Sequence, residues 1–99
     1  MDLNVRHDAH PGHGAFVIDK DGARAAAMTY RRAGDTVTIQ PTEVGDVLRG
    51  QGAGRKLLDA LVAWARQDHL QVVPQCPFAR ATFTKVPELR DVLAPDVTL

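Results

Sequence analysis

Arg49-Gly50-Gln51-Gly52-Ala53-Gly54 is the stretch whose residue types and spacing most plainly suit chemistry. It leads into a run with helical periodicity. The first four N–H groups of any helix lack intrahelical partners, and Ser, Thr, Asp or Asn usually caps them. None of these occurs between Val47 and Arg55. Three glycines let the backbone turn tightly and let a ligand approach it. Free N–H groups and the positive end of the helix dipole favour an anion there. Arg49 adds a forked cation that suits phosphate oxygens. A Gly-rich turn before an ordinary helix is the plainer alternative. Against it stands the order strand, Arg-x-x-Gly-x-Gly, amphipathic helix, short strand. The Lys-Ser/Thr pair of a nucleoside-triphosphate loop is missing, and the strands before the loop form no βαβ repeat of the dinucleotide-binding kind. A phosphate-cradling loop is therefore expected.

The elements that must position this loop fall into two halves. Leu3 and Val5 alternate with polar residues as a short first strand, and Asp8–Gly14, rich in His, Gly and Pro, reads as a loop. Ala15–Ile18 is a second strand. Asp21-Gly22 marks a tight hairpin turn, and Ala23–Arg32 continues as a third strand. After a turn at Ala33-Gly34-Asp35, the β-branched run Thr36–Ile39 is the best strand signal in the chain. Pro41 cannot donate to a sheet ladder, so it fits a strand that bulges or loses a neighbour on one side. Beyond the loop, Gly54, Leu57, Leu58, Leu61, Val62 and Ala65 share one helical face, and a helix is expected from about Gly52 to Asp68. Gln71-Val72-Val73 returns as a short strand. A short helix follows over Phe78–Lys85, with Phe78, Ala81 and Thr82 on one side, and Pro87–Leu93 adds a further turn. The order β-β-β-β-α-β-α predicts α+β architecture. Its sheet is mostly antiparallel, with the fourth and fifth strands parallel through a right-handed crossover.

Composition narrows the class. With 99 residues the chain suits one domain, residues 1–99. Twelve basic residues balance twelve acidic ones, which argues against a protein that binds nucleic acid by neutralising phosphates. No apolar stretch approaches the length needed to span a bilayer, and Met1–Arg6 lacks an apolar signal core. One cysteine, Cys76, cannot build an intrachain disulfide framework and fits a reducing compartment. A cytoplasmic protein, monomeric or weakly dimeric, is expected. His7, His10 and His13 recur at every third position, but in a Gly/Pro-rich segment without Cys they read as polar residues and not as a metal site. Trp64, Phe16, Phe78 and Phe83 read as packing residues.

Arg49–Gly54 resembles the Arg/Gln-x-x-Gly-x-Gly/Ala acyl-CoA-binding motif of the GNAT N-acetyltransferase superfamily. More narrowly, Thr42-Glu43-Val44, Leu48–Gly54, Trp64-Ala65-Arg66 and Val73–Phe78 resemble a group of very small GNAT-like proteins, over nearly the whole span from Ala15 to Leu93. The resemblance implies that the fourth and fifth strands splay apart and that the pantetheine arm of acetyl-CoA lies in the gap. It implies that Arg49, Gly50, Gln51, Gly52, Ala53 and Gly54 bind the pyrophosphate. Arg55 and Lys56 read as solvated cations that could also contact the CoA phosphates. Backbone around Thr42 and Val44 would pair with pantetheine. The reaction implied is acetyl transfer to an unidentified primary amine, with a non-catalytic acyl-CoA-binding module as the alternative.

Two residues are candidates for proton transfer or nucleophilic work. Glu43 lies just before the loop and could accept the amine proton, or be an ordinary solvated carboxylate. Cys76 follows the fifth strand and is held by nearby prolines. It could be an acetyl-accepting nucleophile, an acid for the leaving thiolate, or a small buried hydrophobe. Small members of the group tend to carry His where Pro41 stands, and His-Pro-Glu-Tyr where this chain has Val86-Pro87-Glu88-Leu89. The aromatic hydroxyl that many GNAT enzymes use as an acid is thus missing from that region.

Overall fold

A computed structural model of the chain describes residues 3–99. Met1 and Asp2, which open the segment read as lacking a signal core, lie outside the described residues. Five strands form one sheet in sequence order: β1 (Val5–His10), β2 (His13–Lys20), β3 (Ala23–Ala33), β4 (Thr36–Val44) and β5 (Gln71–Pro74). Helix α1 (Ala53–Gln67) crosses between β4 and β5, and α2 (Pro77–Lys85) follows β5. Short 3-10 turns cover Asp46–Leu48 and Pro87–Val92. The first four strands are antiparallel and the β4/β5 pair is parallel. The predicted α+β class, element order and mixed sheet are all observed.

The first hairpin differs from its expectation: Leu3 lies before β1 and not within it. Asp8–Gly14 is not a loop. β1 runs to His10 and β2 begins at His13, so only Pro11-Gly12 turns, with Gly12 at φ 79°. Gly14 is a strand residue opposite Tyr30. A side chain there would run into the Tyr30 ring and the Asp8 carbonyl, so this glycine makes room inside the sheet.

One face of the sheet carries the core. Phe16, Ile18, Met28, Tyr30, Val37 and Ile39 pack against Leu57, Leu58, Leu61, Val62 and Ala65 of α1, with Val72, Ala79 and Phe83 closing the side. From Leu57 to Ala65 the apolar stripe of α1 is the one its 3.6-residue periodicity specified, but at its start Ala53 is buried and Gly54 only partly so. α2 buries Ala79, Thr82 and Phe83, a rotation from the face expected to hold Phe78, Ala81 and Thr82. The other sheet face holds only a small buried cluster of Ala15, Val17 and Ala27.

β4 is where the sheet opens. Thr36–Ile39 pairs with Gln71–Pro74 of β5, but Gln40–Val44 runs on with no β5 partner. On the β3 side, Thr42 pairs with Met28 and Ile39 with Tyr30, so Gln40 and Pro41 together face Thr29 in a bulge. Pro41 thus sits both in a bulge and beside the lost neighbour, the two settings its missing donor suits.

Candidate functional site

The chain leaves β4 at Val44, makes the Asp46–Leu48 turn, and enters α1 through the glycine loop. Gly50 (φ 80°) and Gly52 (φ 73°) take left-handed backbone that other residues adopt only under strain. Gly52 occupies the N-cap position of α1 and so offers no capping side chain. The first intrahelical bond is donated by Lys56 N–H to the Gly52 carbonyl, at 3.1 Å, so the amides before it stand at the positive end of the helix. That is a cradle with the chemistry of an anion site.

An open groove of about 390 Å³ runs from this cradle along the unpaired end of β4. Its walls are Thr42, Val44, Leu48, Arg49, Gly50, Gly52, Ala53, Gly54, Arg55 and Phe78. Eight of the residues singled out from sequence for binding therefore meet around one space. Gln51 does not join them. Its side-chain amide donates to the Val47 carbonyl at 3.0 Å, and its N–H to the Leu48 carbonyl at 3.2 Å, so it braces the turn. Arg49 is highly exposed and paired with Asp46 at 2.8 Å. A solvent-exposed pair of this kind contributes about 0–1 kcal/mol, so a phosphate can compete for the guanidinium. Arg55 is likewise held by Asp59, at 2.8 Å.

Cys76 lies behind the groove wall, buried, at the N-cap of α2. Its Sγ is 3.4 Å from the Thr42 hydroxyl. Burial pushes the thiol up, but the Thr42 hydroxyl and the backbone amides of Ala79, Thr42 and Phe78 favour the thiolate, and the balance falls below the ordinary cysteine value. The sulfur makes no close capping hydrogen bond, so those helix amides act at slightly longer range. Thr42, through its hydroxyl, and Phe78, through its backbone amide, each border both the groove and the thiol.

Glu43 is on the other side. Strand alternation sends Thr42 and Val44 to the groove face and Glu43 to the opposite one. There it is exposed and borders a shallow hollow with Arg24, Ala27, Thr29, Gln40 and Pro41. The two candidates for proton transfer are thus separated by the strand itself. Among the described residues, no carboxylate lines the groove.

Leu48 and Phe78 were not expected at the site. Leu48 is almost wholly buried yet contributes to the groove floor. Phe78, expected in the core, is 39% exposed and lies against Gly54. The sequence did contain a signal, since Gly is costly inside a helix and Gly54 is the second residue of α1. The three histidines hold no metal-binding cluster among the described residues. His7 instead stacks on Phe16 with centroids 4.1 Å apart, and its Nε2 is 2.6 Å from the Tyr30 hydroxyl.

A family profile described as GCN5-related N-acetyl-transferase matches residues 15–92. The chain is a member of that family. Among solved structures, a GCN5-like protein from Staphylococcus aureus is 33% identical, with a TM-score of 0.70, covering 93% of this chain and 88% of its own. A ribosomal-protein-alanine N-acetyltransferase from Brucella melitensis biovar Abortus 2308 is 16% identical, with a TM-score of 0.67 over 91% of this chain and 68% of that one. AAC(6')-Iy, solved with a bisubstrate analogue built on CoA, is 12% identical with a TM-score of 0.55, covering 91% and 67%. The last two show the shared fold. Among curated protein sequences, none matches. No described helix is long and apolar enough to cross a membrane.

Proposed function

We propose that this GNAT-family chain, as one minimal domain, binds acetyl-CoA and transfers its acetyl group to a primary amine. The observation that carries the reading is the groove: an uncapped helix start with two left-handed glycines opens directly onto unpaired β4 backbone. Those two features suit the two ends of one ligand. The cradle of Arg49, Gly50, Gly52, Ala53 and Gly54 fits a pyrophosphate, and the free peptide groups of Gln40–Val44 fit the amides of a pantetheine arm. Acetyl-CoA supplies the activated acyl group. In the transfer, the amine nitrogen bonds to the thioester carbonyl carbon, the C–S bond breaks, and the amine gives up a proton while the CoA thiolate gains one. Glu43, across β4 from the groove, suits an amine arriving through the gap between β4 and β5, as its proton acceptor. Cys76 suits the second mechanism, in which the acetyl group passes first to its thiol; the lowered thiol pKa favours it.

A second reading is a non-catalytic acyl-CoA-binding module, favoured by a groove whose described lining holds no carboxylate. Calorimetric titration with acetyl-CoA and CoA tests the common ground. Wild type should bind both, and Arg49→Ala should weaken binding about tenfold, the loss of a charge-assisted hydrogen bond. A wild type that binds neither ligand rules out the acyl-CoA reading. Thiol release with a panel of amines then separates enzyme from binding module, and intact mass after acetyl-CoA exposure shows whether Cys76 carries the acetyl group.

A further inference from the structure

Phe78 has no place in the core. α2 buries Ala79, Thr82 and Phe83, and the Phe78 ring points instead along the first turn of α1. A Cβ built on Gly54 would lie 2.9 Å from Cζ, 3.1 Å from Cε2 and 3.3 Å from Cε1 of that ring. The ring therefore rests on bare backbone, in the space that a Cβ at position 54 would take. Gly54 differs here from its neighbours. Gly50 and Gly52 need glycine for positive φ, and nothing stands within 4 Å of a Cβ at either. Gly54 sits within the helix, where glycine is a poor choice on propensity, and the Phe78 ring occupies the space its side chain would take.

We propose that Phe78 is a ligand-contacting wall of the groove, packing on the apolar arm of the bound acyl-CoA, and that the bare backbone of Gly54 lets it lie there. The proposal rests on the acyl-CoA reading and extends it to a residue outside the phosphate loop. Phe78 lines the groove together with Val44 and Leu48, so this part of the wall is apolar, whereas Arg49 and Arg55 lie at the cradle. A ligand with phosphates at one end and a branched hydrocarbon segment beyond them matches that order of surfaces. An aromatic side chain left 39% exposed is apolar area available for burial by such a segment. The contact also keys α2, which starts beside Cys76, onto the helix start that holds the cradle.

The test uses calorimetry with two ligands, CoA and 3′-phosphoadenosine 5′-diphosphate, which keeps the diphosphate and lacks the pantetheine arm. Phe78→Ala should bind CoA about tenfold more weakly, the scale expected when an aromatic contact is removed, and should bind the nucleotide as wild type does. Phe78→Leu should recover part of the CoA affinity. Gly54→Ala should weaken CoA binding by displacing the ring, and adding Phe78→Leu to it should restore part of what was lost. CoA binding by Phe78→Ala equal to that of wild type overturns this proposal and leaves the acyl-CoA reading intact. An equal loss for both ligands also overturns it, because the ring would then serve the phosphate end or the fold. Wild type binding neither ligand overturns both readings together.

Discussion

The two halves of β4 show how one strand serves two purposes. Thr36–Ile39 is paired on both sides, and Val37 and Ile39 are fully buried. Gln40–Val44 is paired on one side only, interrupted by a bulge, with every residue exposed or half-buried. The closed half leads to the packed end of the molecule, where His7, Phe16, Tyr30 and Trp64 form an aromatic cluster and the Arg32 guanidinium lies 5.7 Å over the Trp64 ring. The open half leads to glycines, an uncapped helix and an exposed phenylalanine. Stability is concentrated in one half, and unpaired peptide groups are kept in the other. The candidate ligand site thus lies where the sheet is interrupted, at the end of β4 without a β5 partner.

Substitutions three positions apart on β4 should break along this line. Ile39→Ala removes a fully buried side chain from the closed half and should cost about 2–5 kcal/mol. For a domain of this size each kcal/mol lowers Tm by about 4–8 °C. Thr42→Val in the open half should cost less than about 1 kcal/mol, the net worth of one neutral hydrogen bond. Its effect appears at Cys76 instead: without the Thr42 hydroxyl the thiol pKa rises, and reaction with a disulfide reagent at neutral pH slows. Thermal unfolding and thiol-labelling rates check the pair. Equal loss of Tm in both variants would erase the distinction between the halves.

Gly52→Ala probes the open end alone. A Cβ there meets nothing within 4 Å, so the cost comes from holding alanine at φ 73°, about 1–2 kcal/mol. Acetyl-CoA affinity should fall with it if the helix start relaxes towards ordinary backbone. A variant with unchanged Tm would show that the loop does not depend on that left-handed residue.

The packed end carries its own signature in pH. Burial lowers the His7 pKa below its ordinary value of 6.5, against weaker upward pulls from Asp68 and Asp8. The folded state therefore favours neutral imidazole. Stability from this source is present above about pH 6.5 and declines as pH falls from there through the lowered folded value. Urea unfolding of wild type at pH 7.5 and 5.5 should show the decline, and His7→Gln should flatten it. An identical pH slope in the variant would place the titration elsewhere.

What the sequence disclosed follows from which physics is local. The α1 stripe from Leu57 to Ala65, the Asp21-Gly22 turn and the β-branched Thr36–Ile39 run depend on periodicity and backbone preference, and each appeared as expected. The glycine loop was legible because a helix start without a capping residue is itself informative. Asp8–Gly14 misled because His, Pro and Gly usually mark loops. Here Gly14 answers to Tyr30, sixteen positions away and directly across the sheet. Phe78 misled for the same reason, since an aromatic beside apolar residues reads as core until its distant partner, Gly54, is known. Glu43 was assigned to the right strand, but its position across β4 from Cys76 depends on the pleat and on where the bulge falls.

The smallest expected effect concerns Asp46, and it separates a preformed site from one that must be released. Arg49 is the loop's cation, yet it is paired with Asp46 within its own turn. If ligand phosphate competes with that carboxylate, Asp46→Asn should raise acetyl-CoA affinity by about twofold to fivefold, matching a surface pair of a few tenths to one kcal/mol. The gain should shrink as salt rises, because screening weakens the exposed pair and the phosphate contact alike. Calorimetry at low and moderate ionic strength reads both. A loss of affinity would mean instead that Asp46 orients the guanidinium towards the cradle, making the Asp46–Arg49 pair part of the binding geometry and not a competitor to it.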